Sequence, residues 1–189
     1  MIHMVQNKSN IDLEIILVLI RGKSHLREIA RNLKKSHSTI LRKINGLVEK
    51  DILDFEKQGK NKIFFIKNNL NAKIYVYSAE IYKLSETIEK NPELGVIFED
   101  IKKKAPKAMI ILFGSYAKGI EEKSSDIDIY IETNDNSLKK EIKEINSKIN
   151  VKIGEFDMGS LLIKEIIKNH VIIRGVEEFY EKSKFFEKT

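Results

Sequence analysis

The sequence contains no cysteine and no tryptophan, and only 2 of its 189 residues are proline. A chain without cysteine can form neither a disulfide bond nor a thiolate metal site. Its four histidines are too widely separated to indicate a zinc cluster; they are His3, His25, His37 and His170. Any metal ion bound by this chain would therefore be held by oxygen atoms.

Long apolar runs are missing as well. The longest one, residues 15–20, is far shorter than the roughly 20 apolar residues that a membrane-spanning helix needs. The N-terminus also lacks the charged, apolar and small-residue pattern of a secretory signal. These absences predict a cytoplasmic protein without membrane contact. A content of 42% hydrophobic and 33% charged residues predicts a globular protein, and its length favours two small domains.

The excess of positive charge is confined to the N-terminal part of the sequence. Residues 1–69 contain 14 lysines and arginines against 7 acidic residues, which gives a net charge of +7. Residues 70–189 contain 20 against 21, which gives −1. Because phosphate neutralisation provides most of the non-specific affinity for nucleic acids, this distribution favours a nucleic-acid contact near the N-terminus. A lysine-rich surface that is merely solvated is the alternative.

Three short helical patterns and a hairpin pattern follow one another near the N-terminus. Ser24 and Ser36 stand where the N-caps of the second and third helices are expected. Apolar residues recur at helical spacing in three segments, residues 11–20, 24–33 and 36–48. The turn residues 58–61 lie between two strand-like runs, which predicts a β-hairpin. In this order of elements, residues 1–69 resemble the winged helix-turn-helix family of DNA-binding regulators.

The winged-helix resemblance implies a DNA-binding surface. In that family the third helix lies in the major groove, and the hairpin, called the wing, is well placed to contact the backbone. Small hydroxyl groups followed by cations suit contacts with base edges and phosphates. The candidate DNA-binding residues are Ser38, Thr39, Arg42, Lys43 and, in the wing, Lys60. Winged helices also serve as protein-docking modules, which is the alternative.

Residues 70–106 are predicted to form a helical linker. Apolar residues between Ile74 and Ile88 fall at alternating steps of three and four, which is heptad spacing. Two heptads leave two interpretations open. The helix pairs with a second copy in a homodimer, or it packs on the domains of its own chain. Pro92 ends this helix, and a further helix is expected between residues 93 and 104.

One motif carries recognisable chemistry. An apolar, strand-like stretch runs into Gly114-Ser115, and after ten further residues Asp126-Ile127-Asp128 opens a second strand. A glycine-serine turn lets the backbone approach a phosphate closely and offers amide and hydroxyl donors. Alternation along a strand puts both aspartates on one face, where they repel unless a cation lies between them. Mg²⁺, or Mn²⁺ in its place, is the natural occupant, with oxygen ligands and substrate phosphates.

This motif resembles the signature of the DNA polymerase β-like nucleotidyltransferase superfamily, and its surroundings resemble the minimal prokaryotic members. The resemblance covers residues 107–180 and implies a domain at residues 107–189, in which helices flank a small mixed sheet. The expected fold class is therefore a two-domain α/β (α+β) protein. The resemblance also implies a reaction, the transfer of AMP from ATP to an acceptor.

The superfamily resemblance assigns roles to particular residues. Asp126 and Asp128 would hold the metal ion and act in catalysis, and Gly114, Ser115 and Lys118 would bind the nucleotide. Minimal nucleotidyltransferases that resemble this one often act as antitoxins, which nucleotidylate a partner toxin. The resemblance thus implies an antitoxin-like protein and a protein acceptor such as a toxin.

The sequence departs from the family at the third carboxylate, which usually comes from a neighbouring strand. On the candidate strand, residues 149–156, alternation predicts that Asn150 and Lys152 face the two aspartates, with Lys152 at the third acidic position. Glu155 is the alternative third metal ligand if the strand bends. A site without a third acid gives a rival hypothesis, a DNA-binding regulator whose degenerate transferase domain senses a nucleotide.

Overall fold

The structure is a computed structural model that describes residues 10–187. The chain divides into two compact units, with the boundary between Ala79 and Glu80. This boundary falls inside a long helix, Leu70–Lys90, and so differs from the domain limits predicted at residues 69 and 106. Among the described residues, no helix is both long and apolar enough to cross a membrane.

The first unit combines helices with a small antiparallel sheet. Its elements are α1 (Ile11–Ile20), β1 (Ser24–His25), α2 (Leu26–Asn32), α3 (His37–Glu49), β2 (Leu53–Gln58) and β3 (Asn61–Ile66), followed by the first part of α4 (Leu70–Lys90). The strand order is β1-β3-β2, and the hairpin of β2 and β3 turns at Gly59, whose φ is +60°. The three helices and the hairpin lie where the sequence predicts them, whereas β1 is not predicted. Membership of the winged helix-turn-helix family stays a prediction.

The two predicted serine caps have different outcomes. The Ser36 side chain caps α3 by accepting a hydrogen bond from the Thr39 amide at 3.2 Å. Ser24 lies in β1 instead, where its hydroxyl donates to the Glu28 carboxylate at 2.8 Å, and it does not cap α2. The fully buried apolar side chains of the three helices are Ile15, Ile16, Ile29, Ile40, Ile44 and Leu47.

The second unit is built around a four-stranded sheet. After the last part of α4, its elements are α5 (Glu93–Lys104), β4 (Ile110–Phe113), α6 (Gly114–Lys118), β5 (Ile127–Glu132), α7 (Leu138–Lys143), β6 (Ile149–Gly154), α8 (Leu161–Lys168), β7 (Val171–Arg174), α9 (Val176–Lys182) and a 3-10 turn (Phe185–Glu187). The strand order is β6-β5-β4-β7, with β5 and β6 parallel and the other pairs antiparallel. The small mixed sheet with flanking helices is as predicted.

The helices on both sides of Pro92 contribute to the core of this second unit. Leu94 and Phe98 of α5 belong to one buried cluster with the strands, so the helix predicted as part of a linker is a core helix. Leu84 and Ile88 of α4 also pack against this cluster, whereas Ile81 is 61% exposed. The heptad-spaced stripe is therefore used in part for packing within the chain. Dimer formation through its exposed part stays a prediction.

Candidate functional site

The candidate site is built on a tight junction between β4 and α6. The chain leaves β4 at Phe113 and enters α6 at Gly114, whose φ of +72° lies in the left-handed region. A Cβ at this position would lie 2.1 Å from Oδ2 of Asp128. A side chain at this position would have to displace the Asp128 carboxylate, so glycine suits both the left-handed backbone conformation and this close approach. The glycine-serine turn and the second aspartate are thus in direct contact.

The two aspartates of the motif occupy different environments. Asp128 is the second residue of β5, where it pairs with Phe113 of β4, and its side chain is half-buried. Asp126 lies just before the strand and is exposed. The intervening Ile127 is buried in the core, as strand alternation predicts. Ser115, in the first turn of α6, is half-buried.

The position beside Asp128 on the neighbouring strand is occupied by Asn150. In the parallel pairing of β5 and β6, Asn150 is the direct register partner of Asp128. Its side-chain amide Nδ2 donates a hydrogen bond to Oδ1 of Asp128 at 2.7 Å. One carboxylate oxygen of Asp128 therefore lies against Gly114, while the other accepts from Asn150. Strand alternation predicts that Asn150 and Lys152 both face the two aspartates. The strand register shows that Asn150 is the one paired with Asp128.

The prediction that Lys152 lies beside Asp128, at the position of the third carboxylate, is wrong. Lys152 is the register partner of Tyr130, two residues further along β5 than Asp128, and its side chain is exposed. Alternation alone identifies a face of a strand and leaves the register open. The parallel register assigns the place beside Asp128 to Asn150 instead.

The structure does not bring Glu155 to the two aspartates either. Glu155 follows the C-terminal end of β6, and its carboxylate accepts a hydrogen bond from Asn134 at 3.4 Å. Asn134 follows the C-terminal end of β5, whereas Asp128 is near the N-terminal end of the same strand. Since the two strands are parallel, Glu155 and Asp128 lie towards opposite ends of the sheet. The bend that would make Glu155 a third ligand is not present.

Lys118, the candidate for a contact with the triphosphate, is held by an ion pair. Its Nζ atom lies 2.7 Å from the Glu165 carboxylate of α8. The hydrogen bond and charge of Lys118 lower the pKa of the Glu165 carboxyl. Because both side chains are partly exposed, an arriving phosphate could compete for this lysine.

The donor set of the site fits a hard divalent cation. Asp126 and Asp128 provide carboxylate oxygens, which are of the kind that Mg²⁺ or Mn²⁺ prefers. Within residues 10–187, no group of three or more histidine, cysteine, aspartate or glutamate side chains is arranged to hold a metal ion. The site therefore offers two carboxylates, so that substrate phosphates would have to complete the coordination.

Comparisons with known proteins identify the type of domain that carries this site. Residues 94–182 match the sequence model of the family described as "Nucleotidyltransferase domain". A protein of Methanocaldococcus jannaschii, named as a protein adenylyltransferase, is 46% identical over 70 residues. These residues make up 36% of this chain and 56% of the relative, so the chain spans about half the length of the curated relative it matches.

These matches support the nucleotidyltransferase superfamily. A solved structure described as "Crystal structure of the toxin-antitoxin with AMP-PNP" aligns with 23% identity over 57% of this chain and 81% of that chain. Its TM-score is 0.34, which does not establish a common fold. The matched segment, residues 94–182, begins within α5 and contains both motif aspartates.

The first unit lies outside the matched segment, residues 94–182, and carries the predicted DNA-binding residues. The hydroxyl oxygens of Ser38 and Thr39 lie 3.1 and 2.7 Å from that of Ser36, so both take part in the cap of α3. Arg42 is exposed one turn later, and Lys60 is exposed at the turn between β2 and β3. These two cations are accessible to a phosphate.

Lys43 differs from its neighbour Arg42. Its Nζ atom lies 3.0 Å from Oδ1 of Asp12 in α1, and its side chain is 37% exposed. The charge of Lys43 is thus partly neutralised within its own unit. Of the two adjacent cations predicted to bind DNA, Arg42 is the one available for an external contact.

A groove in the first unit gathers further cations. It has a volume of about 600 Å³, and its basic lining residues are His25, Arg27, Arg31, His37, Lys60 and Lys62. Glu28 is the one acidic side chain of the lining, and its carboxylate accepts from Ser24. In the described part of the chain, Arg27 and Arg31 form no ion pair. The sequence analysis does not identify Arg27 and Arg31, although their spacing of four residues in a helix indicates a shared face.

Proposed function

We propose that the protein is a nucleotidyltransferase that transfers AMP from ATP to a hydroxyl group of an acceptor protein. The observation that carries this proposal is the direct contact between Gly114 and Asp128. It joins a turn suited to phosphate with a carboxylate suited to a divalent cation, inside a segment that matches the nucleotidyltransferase domain. Mg²⁺ is the expected ion, and Mn²⁺ is an alternative.

The proposed roles follow from the position of each side chain. The backbone amides of the turn at Gly114 and the Ser115 hydroxyl hold the terminal phosphates of ATP. Asp126 and Asp128 hold the ion, and Lys118 contributes a cation once it leaves Glu165. When bound, the divalent ion would neutralise the charge that develops on the α-phosphate during attack.

The transfer step needs little covalent chemistry from the protein. The acceptor hydroxyl oxygen forms a bond to the α-phosphorus and releases its proton to solvent, while the bond to the bridging oxygen breaks and pyrophosphate leaves with its electron pair. The task of the site is to orient the triphosphate and to stabilise charge. A protein acceptor is proposed because the relative from Methanocaldococcus jannaschii is named as a protein adenylyltransferase. A partner toxin is one acceptor of this class.

The proposed function is tested by comparing ATP labelled at the α-phosphate with ATP labelled at the γ-phosphate. The full-length protein is incubated with Mg²⁺ or Mn²⁺ and a cell lysate, once with α-³²P-ATP and once with γ-³²P-ATP. Transfer of AMP labels an acceptor protein with the α-phosphate label alone, whereas a kinase would use the γ-phosphate label. The double substitution Asp126→Ala with Asp128→Ala should abolish the labelling. Labelling that survives it would place the reaction elsewhere.

A second candidate function is duplex DNA binding by the first unit. The supporting observation is the basic groove with Arg27 and Arg31, which form no ion pair in the described part of the chain. Phosphate contacts of this kind would let the protein act as a DNA-binding regulator, with the transferase domain serving as a nucleotide sensor if it turns over slowly. If the groove contacts an acidic protein surface instead, the first unit is a docking module that selects the acceptor.

A further inference from the structure

Resting on the proposed nucleotide site, we propose that Asn150 is a positioning residue that fixes Asp128 and restricts the site to a single divalent cation. Its place is set by the parallel register of β5 and β6, which makes Asn150 and Asp128 direct partners. The side-chain contact between them is a hydrogen bond of 2.7 Å from Nδ2 to Oδ1. Asn150 thus acts on the ion through Asp128.

The hydrogen bond fixes the rotation of the Asp128 carboxylate. Oδ2 lies in the space that the absent side chain of Gly114 leaves open, and Oδ1 accepts from Asn150. Both oxygens are therefore constrained before any ligand arrives, one by contact and one by a directed donor. A carboxylate ligand that is oriented by a second residue binds its metal ion more tightly, because less freedom is lost on binding.

The charge of the site explains the restriction to one cation. Apart from the charge of the triphosphate, Asp126 and Asp128 together contribute a formal charge of −2, which one divalent cation neutralises. Asn150 adds a donor and an amide oxygen without adding charge. An aspartate at position 150 would put a third carboxylate against Oδ1 of Asp128, where two like charges at hydrogen-bond distance disfavour each other unless a further cation binds.

No other described residue fills the place of Asn150. Lys152 is paired with Tyr130 and exposed, and Glu155 lies towards the other end of the strands. Residues 10–187 contain no arrangement of three or more possible acidic or histidine ligands. The number of cations held by this site should therefore depend on the side chain at position 150.

Counting bound ions tests the proposal without relying on turnover. Mn²⁺ binding to the full-length protein is measured by electron paramagnetic resonance, with and without a non-hydrolysable ATP analogue. The wild type should bind one Mn²⁺ per chain in the presence of the analogue. Asn150→Asp should bind a second Mn²⁺. In Asn150→Leu, the leucine has a similar shape but no hydrogen-bond donor, so the affinity for the first Mn²⁺ should fall by about 10- to 100-fold.

Asn146→Asp is the matched control. The Asn146 Oδ1 atom accepts a hydrogen bond from the Lys148 amide at 2.9 Å, and an aspartate keeps that acceptor. This variant adds the same charge just before β6 without touching Asp128, so its Mn²⁺ stoichiometry should equal that of the wild type. Thermal unfolding with and without Mn²⁺ provides a second measurement. Mn²⁺ should raise the unfolding temperature of Asn150→Asp more than that of the wild type or Asn146→Asp.

The possible failures are distinguishable. A wild type that binds no Mn²⁺, even with the ATP analogue, would overturn both the proposed function and this inference. A wild type that binds one Mn²⁺ while Asn150→Asp and Asn150→Leu bind it identically would overturn the role of Asn150 alone. A second Mn²⁺ in Asn146→Asp as well would mean that added charge anywhere near β6 suffices, which also overturns the role of Asn150.

Discussion

The Nε2 atom of His170 lies 3.3 Å from Oε1 of Glu80, and both side chains are buried in the second unit. The same carboxylate oxygen accepts a hydrogen bond from the Tyr180 hydroxyl at 2.8 Å. The other ring nitrogen of His170 lies 2.9 Å from the Ile166 carbonyl, which can only accept, so Nδ1 carries a proton. This buried network joins α4 to α8 and α9, and the sequence analysis did not identify it.

The buried Glu80 carboxylate should make the stability of the second unit sensitive to acid. Burial by itself raises the pKa of Glu80, but the hydrogen bond and charge of His170, the charge of Lys83 and the hydrogen bond from Tyr180 together outweigh it and lower the pKa from 4.5 to about 2. A depressed pKa stabilises the fold above the unfolded-state value, and this contribution is lost as pH falls from about 4.5 towards 2. Chemical unfolding measured across that range should show the loss in the wild type.

The control variants separate this effect from general acid unfolding. Glu80→Gln should remove the dependence between pH 4.5 and 2, because the amide does not titrate. Glu80→Ala leaves His170 and Tyr180 without their partner and should cost about 3 to 5 kcal/mol of unfolding free energy at neutral pH. Glu144→Gln changes an exposed carboxylate of the same unit and should have no effect. If the unfolding free energy of Glu80→Gln depends on pH as that of the wild type does, groups other than Glu80 cause the loss of stability in acid.

Local patterns in the sequence predicted much of the fold. Apolar periodicity located the helices and strands, and the cap of α3 at Ser36 formed as its pattern indicates. Ser24 shows where such reasoning ends, because its hydroxyl donates to Glu28 and pairing with β3 draws it into a strand. A cap motif describes what a residue can do locally, and a strand partner distant in sequence can override it.

The candidate site shows the same division between local and long-range information. The spacing of Gly114, Asp126 and Asp128 was visible in the sequence, and so was the face of β6 that includes Asn150. The register between β5 and β6 was not, because it depends on how two strands separated by α7 pack into one sheet. A shift of two residues keeps every side chain on its face and changes its neighbour, so alternation alone does not decide between Asn150 and Lys152.

Gly114→Ala should disrupt the site more than its backbone conformation alone would explain. The substituted Cβ would meet Oδ2 of Asp128 at 2.1 Å and force the carboxylate away. If Asp128 holds the metal ion as proposed, its displacement should reduce AMP transfer on the order of 100-fold. Gly119→Ala is the control, because φ is +69° there and a Cβ would meet nothing within 4 Å. That control should cost only the left-handed backbone strain, about 1 to 2 kcal/mol of stability. Equal losses of transfer in both variants would contradict the role of the Gly114 contact.

Removing the Glu165 carboxylate should release Lys118 for the triphosphate. The ion pair between them is partly exposed, and such pairs contribute at most about 1 kcal/mol. Glu165→Gln should therefore tighten ATP binding by up to about fivefold, and Lys118→Ala should weaken it. Calorimetric titration with ATP and Mg²⁺ measures both. If neither Glu165→Gln nor Lys118→Ala changes the affinity for ATP, Lys118 has no part in nucleotide binding.

A homodimer, if it forms through α4, should depend on Ile81. Leu84 and Ile88 pack against the core of the second unit, so substituting them would test folding, whereas Ile81 is 61% exposed. Ile81→Glu should therefore convert a dimer into a monomer in light scattering, because it buries a charge at the contact. Leu161→Glu, at a position that is 84% exposed on α8, should leave the mass unchanged. A monomeric wild type would disprove the dimer prediction directly.

The last prediction compares two adjacent cations of α3 in duplex DNA binding. Arg42 is exposed, while Lys43 forms an ion pair with Asp12 at 3.0 Å. If α3 and the basic groove contact phosphates, Arg42→Ala should lower the affinity and reduce the salt slope, d log K/d log[salt], by about 1. Lys43→Ala should have the smaller effect, because part of the charge of that lysine is already neutralised.

Mobility shifts of the full-length protein over a range of salt concentrations measure this difference. Arg27→Ala with Arg31→Ala should reduce the slope by about 2, since each arginine lines the groove and would contact one phosphate. Lys139→Ala removes an exposed lysine of the second unit and should leave affinity and slope unchanged. Equal losses in all of these variants would indicate non-specific attraction to net charge. If the wild type shows no shift even at low salt, the first unit does not bind duplex DNA, and its groove is better explained as a docking surface for an acidic protein.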